Sequence, residues 1–139
     1  MRKIITYIAI LLSLNCFVSC NTKPNKNIKK ENNSILQYTK IKSNKTIHDF
    51  GNLTEGEILT CNFYIENIGD SNLIINNIET SCGCTLVKWD KKPLLPGNKT
   101  KLEVEFNSSG RYGKQYKVIS IFANVPNKVY ELIITAEIN

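Results

Sequence analysis

From Thr46 onward, apolar residues recur at every second position, in short runs separated by turn residues. Leu59, Cys61, Phe63 and Ile65 alternate with Thr60, Asn62, Tyr64 and Glu66, the period of two expected of a half-buried strand. Leu73, Ile75 and Ile78 form the next run, with a bulge expected near Asn76-Asn77. Thr85 to Trp89 is a third short run. Leu102, Val104 and Phe106 then alternate with Glu103 and Glu105, and Lys114 to Asn124 and Val129 to Ile138 complete the series. Gly69-Asp70, Pro96-Gly97 and Asn107 to Gly110 supply turns between these runs, because Gly, Pro, Asn and Asp suit the dihedral angles of tight turns. No segment of useful length repeats with a helical period. Six or seven short strands spaced about 8–12 residues apart predict an all-β fold, an immunoglobulin-like β-sandwich of about seven strands. The 94 residues from 46 to 139 suit that size. The Cys…Trp…Cys arrangement of antibody domains is absent.

The start of the chain follows another pattern. Arg2 and Lys3 precede an apolar run from Ile4 to Leu14, and Phe17-Val18-Ser19 leads to Cys20. A charged start, a short apolar stretch and a small residue before a cut predict an export signal over residues 1–19, too short to span a bilayer stably. With Cys20 directly after the cut, the segment resembles the lipobox of bacterial lipoproteins, although Phe17 stands where leucine is usual. That resemblance implies lipidation of Cys20, which becomes the new N-terminus, and a protein anchored to a membrane of the cell envelope, on its periplasmic face or outer surface. Several acyl chains together hold such an anchor firmly.

Residues 20–45 then read as the lipidated cysteine and a tether rich in Lys and Asn. Too little apolar surface is available there to offset the entropy of ordering. Charge separates the same two regions. From Asn21 to Lys45, seven lysines face Glu31, a net +6, whereas from Thr46 eight lysines and Arg111 face eleven acids, a net −2. The overall +6 therefore describes the tether and not the domain. Lysines beside an anchor attract anionic lipid. Without interleaved aromatics they do not suit nucleic acid, and no nucleic-acid partner is expected.

Several pieces of the domain together resemble the DUF1573 family of bacterial domains, many of whose members are lipoproteins. They are Asp49-Phe50-Gly51-Asn52-Leu53, Glu55-Gly56-Glu57, Phe63 to Gly69, and Thr80-Ser81-Cys82-Gly83-Cys84-Thr85. Pro96-Gly97, Gly113-Lys114 and Asn124 with Pro126 extend the match over nearly all of residues 46–139. The resemblance implies an immunoglobulin-like sandwich related to ASH and Hydin-type domains, and no established activity. The residues also suggest structural roles: Phe50 anchors the first strand, Gly51 permits a bend, Asn67 and Asp70 suit turn hydrogen bonding, and Gly69 supplies positive φ in that turn.

Cys82 and Cys84 are the candidate redox or metal residues. In an extended segment their Cα atoms would lie about 6.6–6.8 Å apart on one face, at the upper limit for a disulfide. A bridge therefore requires a turn at Gly83. Two thiolates could instead serve one metal, but structural zinc usually takes four ligands, and the mature chain adds only Cys61 and His48. A third reading is packing, with both cysteines as small residues beside a closely approached Gly83. Cys61 falls on the apolar face as a core thiol, and His48 on the surface at a strand start. No catalytic residue pattern stands out and no cofactor is expected. Two functions follow as expectations. One is a non-enzymatic binding or scaffolding module, monomeric, engaging an envelope protein or polysaccharide. The other is an envelope thiol-redox or metal-carrier protein acting through Cys82-Gly83-Cys84.

Overall fold

The computed structural model describes residues 37–139. The export signal, Cys20 and residues 20–36 of the expected tether lie outside them. No helix occurs among the described residues. Eight strands form: β1 (Ile41–Ser43), β2 (Ile47–Leu53), β3 (Ile58–Asn67), β4 (Ile75–Thr80), β5 (Thr85–Lys88), β6 (Lys99–Asn107), β7 (Gly113–Ala123) and β8 (Val129–Ile138). They build two four-stranded sheets, ordered β1-β3-β6-β5 and β2-β8-β7-β4. All neighbours are antiparallel except β2, which runs parallel to β8. The fold is the expected immunoglobulin-like sandwich.

Alternation explains the core. Cys61, Phe63, Ile65, Leu102, Val104 and Phe106 point inward from the first sheet, and Ile119, Ile121, Leu132, Ile134 and Ile138 from the second. Each large apolar side chain so buried stabilises the fold by about 1.5–3 kcal/mol. The expected bulge is present: the β4–β7 register slips between Ile75 and Asn77. A second slip lies between Asp49 and Asn52 on β2, where Gly51 has φ 74°, so this glycine does permit a bend.

Three local expectations change. The leading strand splits between the sheets, β1 pairing with β3 and β2 with β8, which raises the strand count to eight. Because β1 begins at Ile41, the ordered sandwich takes in residues assigned to the tether and starts before Thr46. Gly69 does not have positive φ. A Cβ there would collide with the Thr39 hydroxyl and lie 2.5 Å from the Lys40 amide nitrogen, so close backbone approach explains the glycine.

The strand directions give the sandwich two distinct ends. At one end the chain enters at Gln37–Lys40, beside the β3–β4, β5–β6 and β7–β8 connections. Two buried asparagines hold this entry end. Asn67, with no exposed surface, accepts from the Thr39 hydroxyl at 2.6 Å and the Gly69 amide at 3.2 Å, and donates to the carbonyls of Ser71 and Leu94, each at 2.8 Å. Asn124 accepts from the Ile74 amide at 2.7 Å and donates to the carbonyls of Gln37 and Asn72. The β2–β3, β4–β5 and β6–β7 connections form the opposite, distal end.

Candidate functional site

The Ser-Cys-Gly-Cys-Thr block forms the β4–β5 connection at the distal end. Its turn is held mainly by polar groups flanking the cysteines. The Thr80 hydroxyl donates toward the carbonyls of Cys82 at 2.9 Å and Thr85 at 3.2 Å. Ser81 extends the β4–β7 pairing: its amide donates to the Val118 carbonyl at 3.0 Å, and its hydroxyl oxygen accepts from the Val118 amide at 3.2 Å. On the far side, the Asn107 amide donates to the Cys84 carbonyl at 2.9 Å. The segment is thereby anchored to β7 and to β6.

Within this turn Cys82 and Cys84 are joined by a disulfide, their Cα atoms 5.3 Å apart. The distance is inside the ordinary range for a bridge and shorter than the extended segment would give, as a turn at Gly83 requires. The two residues are unequal in exposure. Cys82 is partly exposed, while Cys84 is 9% exposed and joins the core. The Thr85 hydroxyl lies 3.7 Å from each sulfur; in the bridged form only the hydroxyl has a proton to give. Gly83 is exposed, does not have positive φ, and has open space where a Cβ would stand. The expectation of a closely approached Gly83 is therefore wrong: neither dihedral angle nor packing demands glycine there.

Such a bridge is a weak staple. Closing a loop of three residues restricts the unfolded chain by about 1.6 kcal/mol in the chain-entropy account, against about 3 kcal/mol for a fifteen-residue loop. It joins neither the two sheets nor distant segments.

The remaining sequence candidates stand apart from this turn. Cys61 is a free, buried thiol on β3. Strand β6 separates β3 from β5, and Cys61 is in register, across Val104, with Val87. It is two strand spacings, about 10 Å, from β5 itself and further from Cys84, three residues along from Val87. Burial pushes its thiol up to about 11, with the Lys45 ammonium pulling slightly the other way. His48 is not a free surface residue. Its Nδ1 lies 2.7 Å from Lys45 Nζ, and its ring meets Phe50 edge-on at 4.5 Å between centroids. Desolvation, then the Lys45 ammonium, lowers its pKa from 6.5, while Asp49 opposes the shift. Among the described residues, no group of three or more His, Cys, Asp or Glu side chains is placed to hold a metal, and in the bridged form neither Cys82 nor Cys84 offers a thiolate.

The outer faces of the sheets are a second feature, and the sequence reading recovered only one of them. On the first sheet, Glu103 lies 3.0 Å from Lys101 and 4.0 Å from Lys88, and Lys99 lies 3.4 Å from Glu66. Tyr64 and Leu86 are also exposed on this face, but they stand opposite Lys101 and Glu105 of the intervening β6 and are not side by side. On the second, Ile47, Ile133 and Val118 stand side by side across β2, β8 and β7. Ile47 is 53% exposed and Tyr116, two residues along β7 from Val118, is 61% exposed. A shallow depression of about 450 Å³ opens beside the β2 bulge, lined by Asp49, Asn52, Lys114, Tyr116 and Glu137 among others. The available signal was lost alternation: Val118-Ile119, Ile121-Phe122 and Ile133-Ile134 place apolar residues on both faces.

Comparison with known proteins agrees with this architecture. The profile of a family described as "Protein of unknown function (DUF1573)" matches residues 41–138. A search of curated proteins finds no match. Among solved structures, a protein of unknown function from Porphyromonas gingivalis W83 superposes with a TM-score of 0.64 at 23% identity. That alignment covers 73% of this chain and 48% of that one, so the chain spans about half of this relative. An ASH/PapD-like domain of human CEP192 gives a TM-score of 0.60 at 10% identity, covering 73% of this chain and 87% of that one. The secreted serine protease VesC of Vibrio cholerae gives 0.56 at 13% identity, covering 73% of this chain and 23% of that one. At these identities the likenesses show a shared fold. They indicate no enzymatic family.

Proposed function

The chain belongs to the DUF1573 family, which has no assigned function, and from that premise we propose that it is an envelope lipoprotein, anchored through Cys20, whose immunoglobulin-like domain is a non-enzymatic binding module. The contrast between the outer faces carries this reading. Charged pairs that satisfy one another, as on the first sheet, need no partner. Contiguous exposed apolar and aromatic side chains rimmed by polar groups are characteristic of interaction surfaces. The outer face of the second sheet has that composition, with Ile47, Val118, Ile133 and Tyr116 beside Asp49, Asn52, Lys114 and Glu137. A tyrosine face bordered by carboxylates and an amide suits an envelope polysaccharide or an envelope protein.

Site-directed photocrosslinking tests the proposal. A photoreactive residue at Tyr116 should yield a discrete adduct in intact cells, and the same group at Lys101 on the charged face should not. Equal labelling at both positions, or none at either, would contradict the assignment of the binding face.

The Cys82–Cys84 bridge supports a second reading, an envelope thiol-redox protein. It is a local bridge on a turn that other groups already hold, with one of its two cysteines partly exposed. Redox chemistry of this kind is compatible with binding through the other surface.

A further inference from the structure

We infer that Cys82–Cys84 is a dithiol–disulfide exchange site in which the Cys82 sulfur is attacked and Cys84 leaves. The inference rests on the thiol-redox reading. Attack requires approach to a sulfur from outside, and Cys82, partly buried against the core, is the more exposed of the two while Cys84 belongs to the core itself. Gly83 leaves the outer side of the bridge bare although the fold makes no demand for glycine there. A partner's backbone can therefore come close. The Thr85 hydroxyl, 3.7 Å from both sulfurs, can donate to whichever one develops negative charge, the situation in which a hydrogen bond is strongest; it assists the exchange, and the choice between the sulfurs rests on exposure. Because Thr80, Ser81 and Asn107 hold the turn by hydrogen bonds that do not involve sulfur, opening the bridge leaves the two thiols beside each other for reclosure. Cys61, two strands away with its thiol pushed up to about 11, stays out of the exchange.

The partner class is a protein dithiol. One partner thiolate attacks Cys82 Sγ; a mixed disulfide forms, the Cys82–Cys84 bond breaks, and Cys84 leaves as a thiolate that takes up a proton. The partner's second thiolate then attacks its own sulfur in the mixed disulfide and releases Cys82, which is protonated in turn. The bridge gains two electrons and two protons, and the partner dithiol loses them in closing its own disulfide.

Reduced glutathione is the probe, applied briefly to the oxidised full-length chain, followed by acid quenching, alkylation and peptide mass mapping. Glutathione is expected on Cys82 and the alkyl group on Cys84, with Cys82 favoured about tenfold or more, as its exposure predicts. Cys84→Ser should likewise take up glutathione from its oxidised form faster than Cys82→Ser. Gly83→Val should slow opening of the wild-type bridge with no change in melting. Glutathione found equally on both cysteines, or mainly on Cys84, would overturn the assignment of roles and leave the redox reading standing. A bridge that resists both glutathione and dithiothreitol until the domain unfolds would overturn both.

Discussion

The two ends of the sandwich use polar residues in different ways. At the entry end, Asn67 and Asn124 are buried and use their amide groups to tie together segments far apart in sequence, from Gln37 to Asn124. At the distal end, the polar residues of the β4–β5 connection mostly serve their own turn, and the covalent bond there spans two residues. Hydrogen bonds therefore do the long-range joining, while the disulfide constrains only local geometry. At the distal end the long-range bonds are made by buried Ser108 to Thr54 and by Gly110 to Glu55, and the β4–β5 turn with its short bridge takes no part in them.

Asn67→Ala should break this arrangement most severely. It removes four hydrogen bonds and leaves buried donors and acceptors unmatched, at about 1–3 kcal/mol for each group stranded without water. We expect a loss of about 3 kcal/mol or more, which for a domain of this size lowers Tm by roughly 12 °C or more. Thermal melting followed by circular dichroism checks it; a shift below a few degrees would show that Asn67 is not a structural hub.

Gly69→Ala and Asn124→Ala come next, at about 2 kcal/mol each. The first forces a Cβ into the Lys40 backbone, and the second strands the Ile74 amide and two carbonyls. Urea denaturation gives both values, and near-neutral results would show that these entry-end contacts carry little of the stability. Replacing both Cys82 and Cys84 by serine should cost less, about 1–2 kcal/mol, because so short a loop restricts the unfolded chain little. That double variant should remain folded by near-ultraviolet circular dichroism. Gly83→Ala should change stability by no more than about 0.5 kcal/mol.

The smallest effect concerns His48, the only histidine in the chain. Its pKa in the fold lies below the ordinary 6.5, so the unfolded chain binds the proton more readily. Its contribution to stability is present above pH 6.5 and is lost as pH falls through the folded value. Lys45→Met should raise the His48 pKa, read by NMR titration of the ring protons; an unchanged value would show that the ammonium, 2.7 Å away, has no influence.

Much of the fold was legible because alternation records burial directly. Leu59 to Ile65 and Leu102 to Phe106 gave their strands and inward faces, and Gly51 gave the β2 bend. The split of the leading strand was not legible. Ile41–Ser43 is too short to show a period, and its place is set by pairing with β3, distant in sequence. Gly69 and Asn67 read as turn residues because nothing local reports that Thr39 packs against them. At the candidate site, Cys82 and Cys84 were found by type and spacing. Their closure into a bridge is not legible there, since the turn is held by hydrogen bonds from Thr80 and Ser81 that exist only once β4 has paired with β7.

Native-state hydrogen exchange on the full-length chain, with the Cys82–Cys84 bridge oxidised and then reduced, tests the division between the ends most directly. Reduction should leave the amides of Thr39, Gly69 and Ile74 as protected as before, and alter protection only around Ser81 to Thr85 and their partners Val118 and Asn107. Loss of protection across both sheets on reduction would show that the bridge holds the fold, and would contradict the account.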